Sequence, residues 1–441
     1  MSEIRGTGFA AVRGHTRSDA PEMPHWVTVR VIALCFFAIL AEGYDVGIYG
    51  AVLPALVDER AWGLTPTQFG VLGSYALIGM LVGAVLVGAL SDVSGRKKTL
   101  IACIGVFSIT MAWASLARTP AEFGWCRFIG GLGLGGVIPT ASALTIEYSP
   151  VRRRSFNYAL MYSGYALGGV LIALLSLWFV QESGWRALFR IGAFPLLAIP
   201  VMVWGLPESI TFLRSRGRMR EADELAARLG IVVLDQDSGA SVSRAPRLIE
   251  RIGSLFGPFS IRATLLFWIA FFMGLLLIYG LNTWLPQMMR SAGYPLGSSL
   301  ALLLALNLAA AIGSLVSGAA ADRWGSRRVI GISYLIAACS IALLATRPGT
   351  LFTYALVGMA GVGSISTTLV MNAYVAKYFP PGVRATALGL ALGFGRLGAI
   401  AGPLLGGVLV SHHVSVASCF HVFAAAGVIA ALAVFLIRDR A

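Results

Sequence analysis

Two carboxylic acids lie deep inside the first long apolar segment of the chain. Glu42 and Asp45 are three positions apart and therefore share one face of a helix, which Tyr49 joins four positions later. At 1.5 Å per residue, Glu42 lies about 22 Å along the helix axis. Ionised carboxylates are costly at that depth unless they are paired or hydrated, so we expect one of the two to hold a proton at neutral pH. This chemistry suits proton coupling, and the alternative is a fixed ion pair that joins helices.

An arginine in the fourth apolar segment is the predicted counter-charge for these acids. Arg127 lies about two turns from the start of that segment, and Asp45 lies at a similar depth in the first one. The glycine-rich stretch that follows, residues 130–136, lets another helix backbone approach closely. We therefore assign Glu42, Asp45 and Arg127 to proton coupling.

A second arginine, Arg396, falls near the middle of the eleventh apolar segment. An arginine at that depth is expected to face a cavity, and its forked donors suit a carboxylate. We predict that Arg396 binds a substrate anion, although a structural bond to a helix carbonyl or a pairing with Glu42 or Asp45 is also open. Polar and aromatic side chains in the spans are further candidates for substrate contact, with helix packing as the alternative: Tyr49, Tyr162, Tyr165, Tyr279, Asn282, Trp284 and Asn372.

A short charged loop occurs twice. Residues 88–98 read GALSDVSGRKK, and residues 318–328 read GAAADRWGSRR, at an offset of 230. An acid in such a loop can accept hydrogen bonds at a helix N-terminus and pair with an arginine, in one conformation and not in another. We predict a gating loop, with a static loop as the alternative; its residues are Gly88, Asp92, Arg96, Asp322 and Arg327.

The composition of the whole chain is typical of a membrane protein. Hydrophobic residues make up 57% of its 441 residues and charged residues only 12%, whereas soluble domains carry about 25% charged residues. Six apolar windows, a hydrophilic linker and six more windows predict an all-α membrane protein of twelve transmembrane helices in two pseudo-symmetric six-helix halves. The predicted boundaries are a tail at 1–26, a first half at 27–206, a linker at 207–262, a second half at 263–437 and a tail at 438–441.

The charge pattern predicts orientation. The net charge is +14, but the Lys and Arg residues lie in short clusters between the apolar windows and not on one face, which argues against nucleic-acid binding. Most of them fall in the two tails, the linker and alternate loops, so both termini are expected on the cytoplasmic side. We expect no cleaved signal peptide, because residues 1–26 lack an apolar core. No motif predicts an enzyme, a nucleotide site or a cofactor, and the adjacent His412 and His413 do not form a metal site.

The motifs together resemble the major facilitator superfamily. The loop at 88–98 with its second copy, the stretch RFIGGLGLGG from Arg127, and LPES at 206–209 carry the resemblance. Within it, the first-segment stretch EGYDVGIYG is similar to the signature of the aromatic acid:proton symporters, and the closest likeness is to the bacterial benzoate transporters. This chain has Glu42 where that family usually has Asp. In that family both acids of this stretch matter for transport, which the resemblance carries over to Glu42 and Asp45. It likewise implies that Asp92 corresponds to the family's loop acid and Arg396 to its arginine in the eleventh helix.

The resemblance implies a proton symporter of the bacterial inner membrane that imports a small aromatic carboxylate, benzoate or a hydroxybenzoate, and works as a monomer. Three alternatives remain open. The same scaffold could import another small organic anion or zwitterion, export drugs by proton antiport, or act as a sensor that moves little.

Overall fold

A computed structural model describes residues 24–58, 62–231, 253–257 and 260–438. Most of the predicted N-terminal tail, much of the linker and the last three residues lie outside the described residues. Twelve helices in the described part are long and apolar enough to cross a membrane. They are α1 His25–Asp58, α2 Pro66–Ser94, α3 Arg96–Ala114, α4 Pro120–Glu147, α5 Arg154–Ser183, α6 Trp185–Gly205, α7 Ile261–Ser291, α8 Leu296–Trp324, α9 Ser326–Leu344, α10 Thr350–Tyr378, α11 Pro381–Ser411 and α12 Val416–Leu436.

The predicted repeat is confirmed by the helix boundaries. Gly95 separates α2 from α3, and Gly325 separates α8 from α9, each with a positive φ, of 96° and 87°. Glycine adopts this conformation without the steric cost that a Cβ atom would bring. In both halves the helix before this glycine has 29 residues and the helix after it has 19. The fold is the predicted pair of six-helix halves.

Two short helices of the linker, Ile210–Ser215 and Met219–Leu229, lie against one end of the first half. Arg216 from this segment donates from Nη2 to the backbone carbonyl of Asp92 at 2.7 Å, next to the α2–α3 turn. We call this end of the bundle the linker end, and the opposite end the distal end.

The two halves meet in the distal part of the bundle. On α1, Gly50 lies so close to the backbone of Asn282 on α7 that no Cβ atom would fit between them. Ser74 of α2 donates to the carbonyl of Ile400 on α11 at 2.9 Å. Near the distal surface, Arg290 donates to the carbonyl of Pro54 at 3.2 Å and forms an ion pair with Asp58.

Toward the linker end the facing helices separate. A Cβ atom added at Gly88 of α2, or at Gly389 or Gly393 of α11, would meet no atom within 4 Å. The halves are therefore closed distally and open at the linker end.

Candidate functional site

The predicted counter-charge to the α1 acids is found on α4. Arg127 donates from Nη1 to Oδ1 of Asp45, and its Nη2 lies 3.4 Å from the Asp45 carbonyl oxygen. The two side chains are 5% and 4% exposed. The contact is confirmed. A buried pair of this kind is held by its hydrogen bonds as much as by charge, and removal of one partner leaves the other uncompensated.

Glu42 lies one turn before Asp45 and has no such partner. It is fully buried, and both carboxyl oxygens lack a hydrogen bond. Within the described residues, no cation is within ion-pair distance of it. The charges that act on it from further away are those of Arg396 and Asp45. The alternative of a fixed ion pair thus applies to Asp45 and not to Glu42.

Arg396 on α11 is half-buried and has no acidic partner among the described residues. Its Nη1 lies 3.8 Å from the sulfur of Met80 on α2, so it sits at the junction of the two halves. Its charge interacts with Glu42 and with tyrosines on α5 and α7. Among the residues that the structure describes, the bond to a helix carbonyl that we considered is not made, and the guanidinium group has no counter-ion.

Tyrosines from both halves meet beside these charges. The hydroxyl groups of Tyr165 on α5 and Tyr279 on α7 are 3.2 Å apart. Tyr279 also lines a small cavity between the halves, with room for about one water molecule, together with Asp45, Arg127 and Met80. An acid, an ion pair, an unpaired arginine and two phenols therefore converge near the middle of the bundle.

Some predicted substrate ligands are occupied elsewhere. Trp284 donates from Nε1 to the carbonyl of Pro403 at 2.8 Å, inside the second half. Tyr49 lines the small cavity, but its hydroxyl donates to the carbonyl of Phe69 at 2.5 Å. Asn282 accepts from Asn307 at 3.3 Å and donates to its own helix. For these three residues the structure favours the packing alternative over substrate contact.

Asn372 differs from these three. It lies on α10, six positions after a π-helical turn at Val362–Ser366, and its buried Oδ1 has no hydrogen-bond partner in the described part of the chain. Its role stays a prediction.

The contacts of the predicted gating loop differ between its two copies. The carboxylate of Asp92 is exposed and makes no ion pair among the described residues, so the predicted contact is not made in this conformation. Arg96 lies 3.2 Å from Glu147. In the second copy, Asp322 pairs with Lys377 at 3.6 Å, and Arg327 donates to the carbonyl of Phe435 at 2.5 Å. Gly88 faces open space.

The family model described as Major Facilitator Superfamily matches residues 35–311 and 298–441. The chain belongs to the major facilitator superfamily. It is therefore a multi-pass membrane transporter and not an enzyme. Among solved structures it is similar to the partially occluded inward-open conformation of the xylose transporter from E. coli, with a TM-score of 0.75 and 16% identity over 94% of this chain and 98% of that one. That likeness concerns the fold.

Within the superfamily, the chain is similar to transporters that are named for aromatic acids. The chain is 36% identical over 430 residues to the benzoate transport protein of Acinetobacter baylyi, covering 94% of this chain and 90% of that protein. It is also 36% identical to the gentisate transporter of Corynebacterium glutamicum, over 91% of this chain and 86% of that one. The gallate transporter of Pseudomonas putida is 32% identical, over 89% and 90%. These relatives confirm the predicted resemblance to transporters of aromatic acids.

Proposed function

We propose that this protein is a proton-coupled symporter that imports a small aromatic carboxylate, benzoate or a hydroxybenzoate. The observation that carries the proposal is that three ionisable side chains lie near one another and only one of them forms an ion pair. Asp45 is neutralised by Arg127, while among the described residues Glu42 has no hydrogen-bond partner and Arg396 has no acidic one. The relatives named above support the substrate class.

Coupling follows from competition for Arg396. A carboxyl group enclosed without a hydrogen bond or counter-ion is far less costly as a neutral acid than as an anion. While Glu42 is neutral, Arg396 is free to bind the substrate carboxylate through its forked donors. Once Glu42 ionises, its own charge attracts Arg396 and competes with the substrate. Proton and substrate therefore favour each other's binding, and this linkage is reciprocal.

We assign the linker end to the cytoplasm, because Lys and Arg concentrate there. Both termini then lie on the cytoplasmic side of the bacterial inner membrane, and the conformation described above is open to the cytoplasm. Transport would proceed when the distal contacts open and the loop at Asp92 closes the linker end. The arginine, the acids and the tyrosines all come from one chain, so we propose that the monomer transports.

Uptake of radiolabelled benzoate into cells that lack their own carriers tests the proposal. We expect accumulation that collapses with a protonophore, since a pH gradient of one unit supports about tenfold accumulation per proton. Uptake that resists the protonophore would remove proton coupling. Lower benzoate sensitivity without uptake would indicate export, and binding without counterflow in liposomes would indicate a sensor.

Arg396→Lys should raise the KM for benzoate uptake by about tenfold or more, because a point charge replaces a two-bond fork. Transport rates across a range of benzoate concentrations, with membrane expression held equal, measure this. Arg220→Lys is a matched control, since that arginine pairs with Glu224 on the exposed surface of the linker. An unchanged KM in Arg396→Lys would make Arg396 a structural residue.

Gly50→Ala should abolish uptake while the protein remains folded, because the added methyl group keeps α1 and α7 from closing distally. In a Ser74→Cys background, a membrane-impermeant maleimide added from outside should then label the cysteine faster than without Gly50→Ala. Gly105→Ala is the control, since its methyl group would meet only Ile199, at 3.5 Å. Wild-type uptake by Gly50→Ala would contradict this view of the distal closure.

A further inference from the structure

A stripe of three tyrosines runs along one face of α5. Tyr158, Tyr162 and Tyr165 are four and three positions apart, which places them on one side of the helix. Their rings stack in sequence, with centroids 6.1 Å and 6.0 Å apart and planes 18° and 17° from parallel. We call these three residues the tyrosine stripe.

The stripe faces the other half and not the lipid. At 100° per residue, the exposed leucines of α5 lie on the opposite face of the helix; they are Leu160, Leu167, Leu171 and Leu174. Gly169, one turn beyond Tyr165 on the stripe's own face, packs against Asn307 of α8. Below that contact the two halves separate, and the three tyrosines are half-buried.

The distal end of the stripe reaches the charged centre. Tyr165 contacts the hydroxyl of Tyr279 across the halves at 3.2 Å. The charge of Arg396 interacts with Tyr279, Tyr165 and Tyr162. A guanidinium group with no acidic partner among the described residues thus lies beside a wall of aromatic faces that leads toward the linker end. An aromatic ring with an attached carboxylate would complement this arrangement.

We propose that Tyr162 and Tyr165 form the ring-binding wall of the substrate site and set the preference for aromatic over saturated carboxylic acids. This inference rests on the proposed function, in which Arg396 holds the carboxylate. A planar ring gains from offset or edge contact with other rings beyond the apolar area that it buries. A saturated ring of the same size buries similar area without that gain. The selectivity therefore lies in the aromatic faces, and the phenolic hydroxyl of Tyr162 is not required for it.

The test compares benzoate with cyclohexanecarboxylate, which has the same charge and a non-aromatic ring. We expect Tyr162→Leu to weaken benzoate binding by about three- to tenfold and to change cyclohexanecarboxylate binding by less than about twofold. Tyr162→Phe should keep the wild-type ratio. Trp178→Leu is a matched control, because it removes an aromatic side chain, 73% exposed, from the lipid side of the same helix. Inhibition constants are measured against labelled benzoate, or by direct binding to the purified full chain.

Each outcome decides the question. Loss of the benzoate preference in Tyr162→Leu, with the preference kept in Tyr162→Phe and Trp178→Leu, supports the ring-binding wall. Equal weakening of both acids means that Tyr162 only supports the fold, and no change means that the ring binds elsewhere; either result overturns the inference while the proposed function stands. Failure of the wild-type protein to bind or transport either acid overturns the proposed function, and the inference falls with it.

Discussion

Glu42→Gln should abolish accumulation of benzoate against a gradient while exchange of benzoate across the membrane persists. The glutamine side chain has nearly the shape of the neutral acid and carries no proton that can be exchanged. Arg396 then stays free for substrate at every pH, and the reciprocal linkage between proton and substrate is lost. In liposomes with a pH gradient of one unit, the accumulation ratio should fall from about tenfold to equality, and counterflow between labelled and unlabelled benzoate should continue.

Glu42→Asp is the matched control for this result. It keeps an ionisable carboxyl group and shortens the side chain by one methylene, and the family that the first apolar segment resembles usually has Asp at this position. Accumulation should therefore be retained in Glu42→Asp. Accumulation by Glu42→Gln at the wild-type ratio would show that the transported proton is bound elsewhere, and loss of counterflow as well would mean that Glu42 is needed for the fold or for binding.

The pairing of Asp45 with Arg127 was predictable because both residues are rare in apolar segments and lie at matching depths. The bundle of two six-helix halves was predictable for a similar reason, since the repeated loop fixes equivalent turns at Gly95 and Gly325. In both cases one local rule leaves few possible arrangements. For the ion pair the rule is the cost of a charge in lipid, and for the turns it is the need for a positive φ.

Side-chain partners at the junction of the halves were less predictable. Trp284 and Asn282 have polar groups on their side chains and lie in membrane-spanning helices. Their positions in the sequence do not show whether they face the centre of the bundle or a neighbouring helix. In the structure both find partners through tertiary packing, Trp284 at Pro403 and Asn282 at Asn307. The tyrosine stripe does have a sequence signal, the spacing of four and three, but its stacking and its exposure depend on how far the halves are apart.

The conformation itself has no sequence signal. The contact expected at Asp92 belongs to one of two states of a transporter, and the sequence must be compatible with both. Here the distal contacts at Gly50 and Ser74 are made, and the carboxylate of Asp92 makes no ion pair among the described residues. Residues that pair in only one state therefore have to be judged against that state, and the role of Asp92 as a latch stays a prediction.

Asp45→Asn should abolish accumulation and lower thermal stability, because it leaves the guanidinium group of Arg127 buried without a counter-charge. Breaking a buried pair in this way costs roughly 3–5 kcal/mol. Arg127→Gln should have a similar effect, since it leaves the Asp45 carboxylate unpaired. The double variant Asp45→Asn with Arg127→Gln removes both charges and should regain part of the lost stability, because no uncompensated charge is left buried.

Uptake measurements distinguish whether the Asp45–Arg127 pair only stabilises the fold or also takes part in transport. If the pair only held α1 to α4, the double variant would recover transport together with stability. We expect it to recover stability alone, because the charge of Asp45 lies one turn from Glu42 and Arg127 lines the cavity between the halves. Asp58→Asn, which breaks a partly exposed ion pair at the distal surface, should cost at most about 1 kcal/mol and serves as the control. Recovery of benzoate accumulation in the double variant would assign the pair to the fold and leave coupling to Glu42.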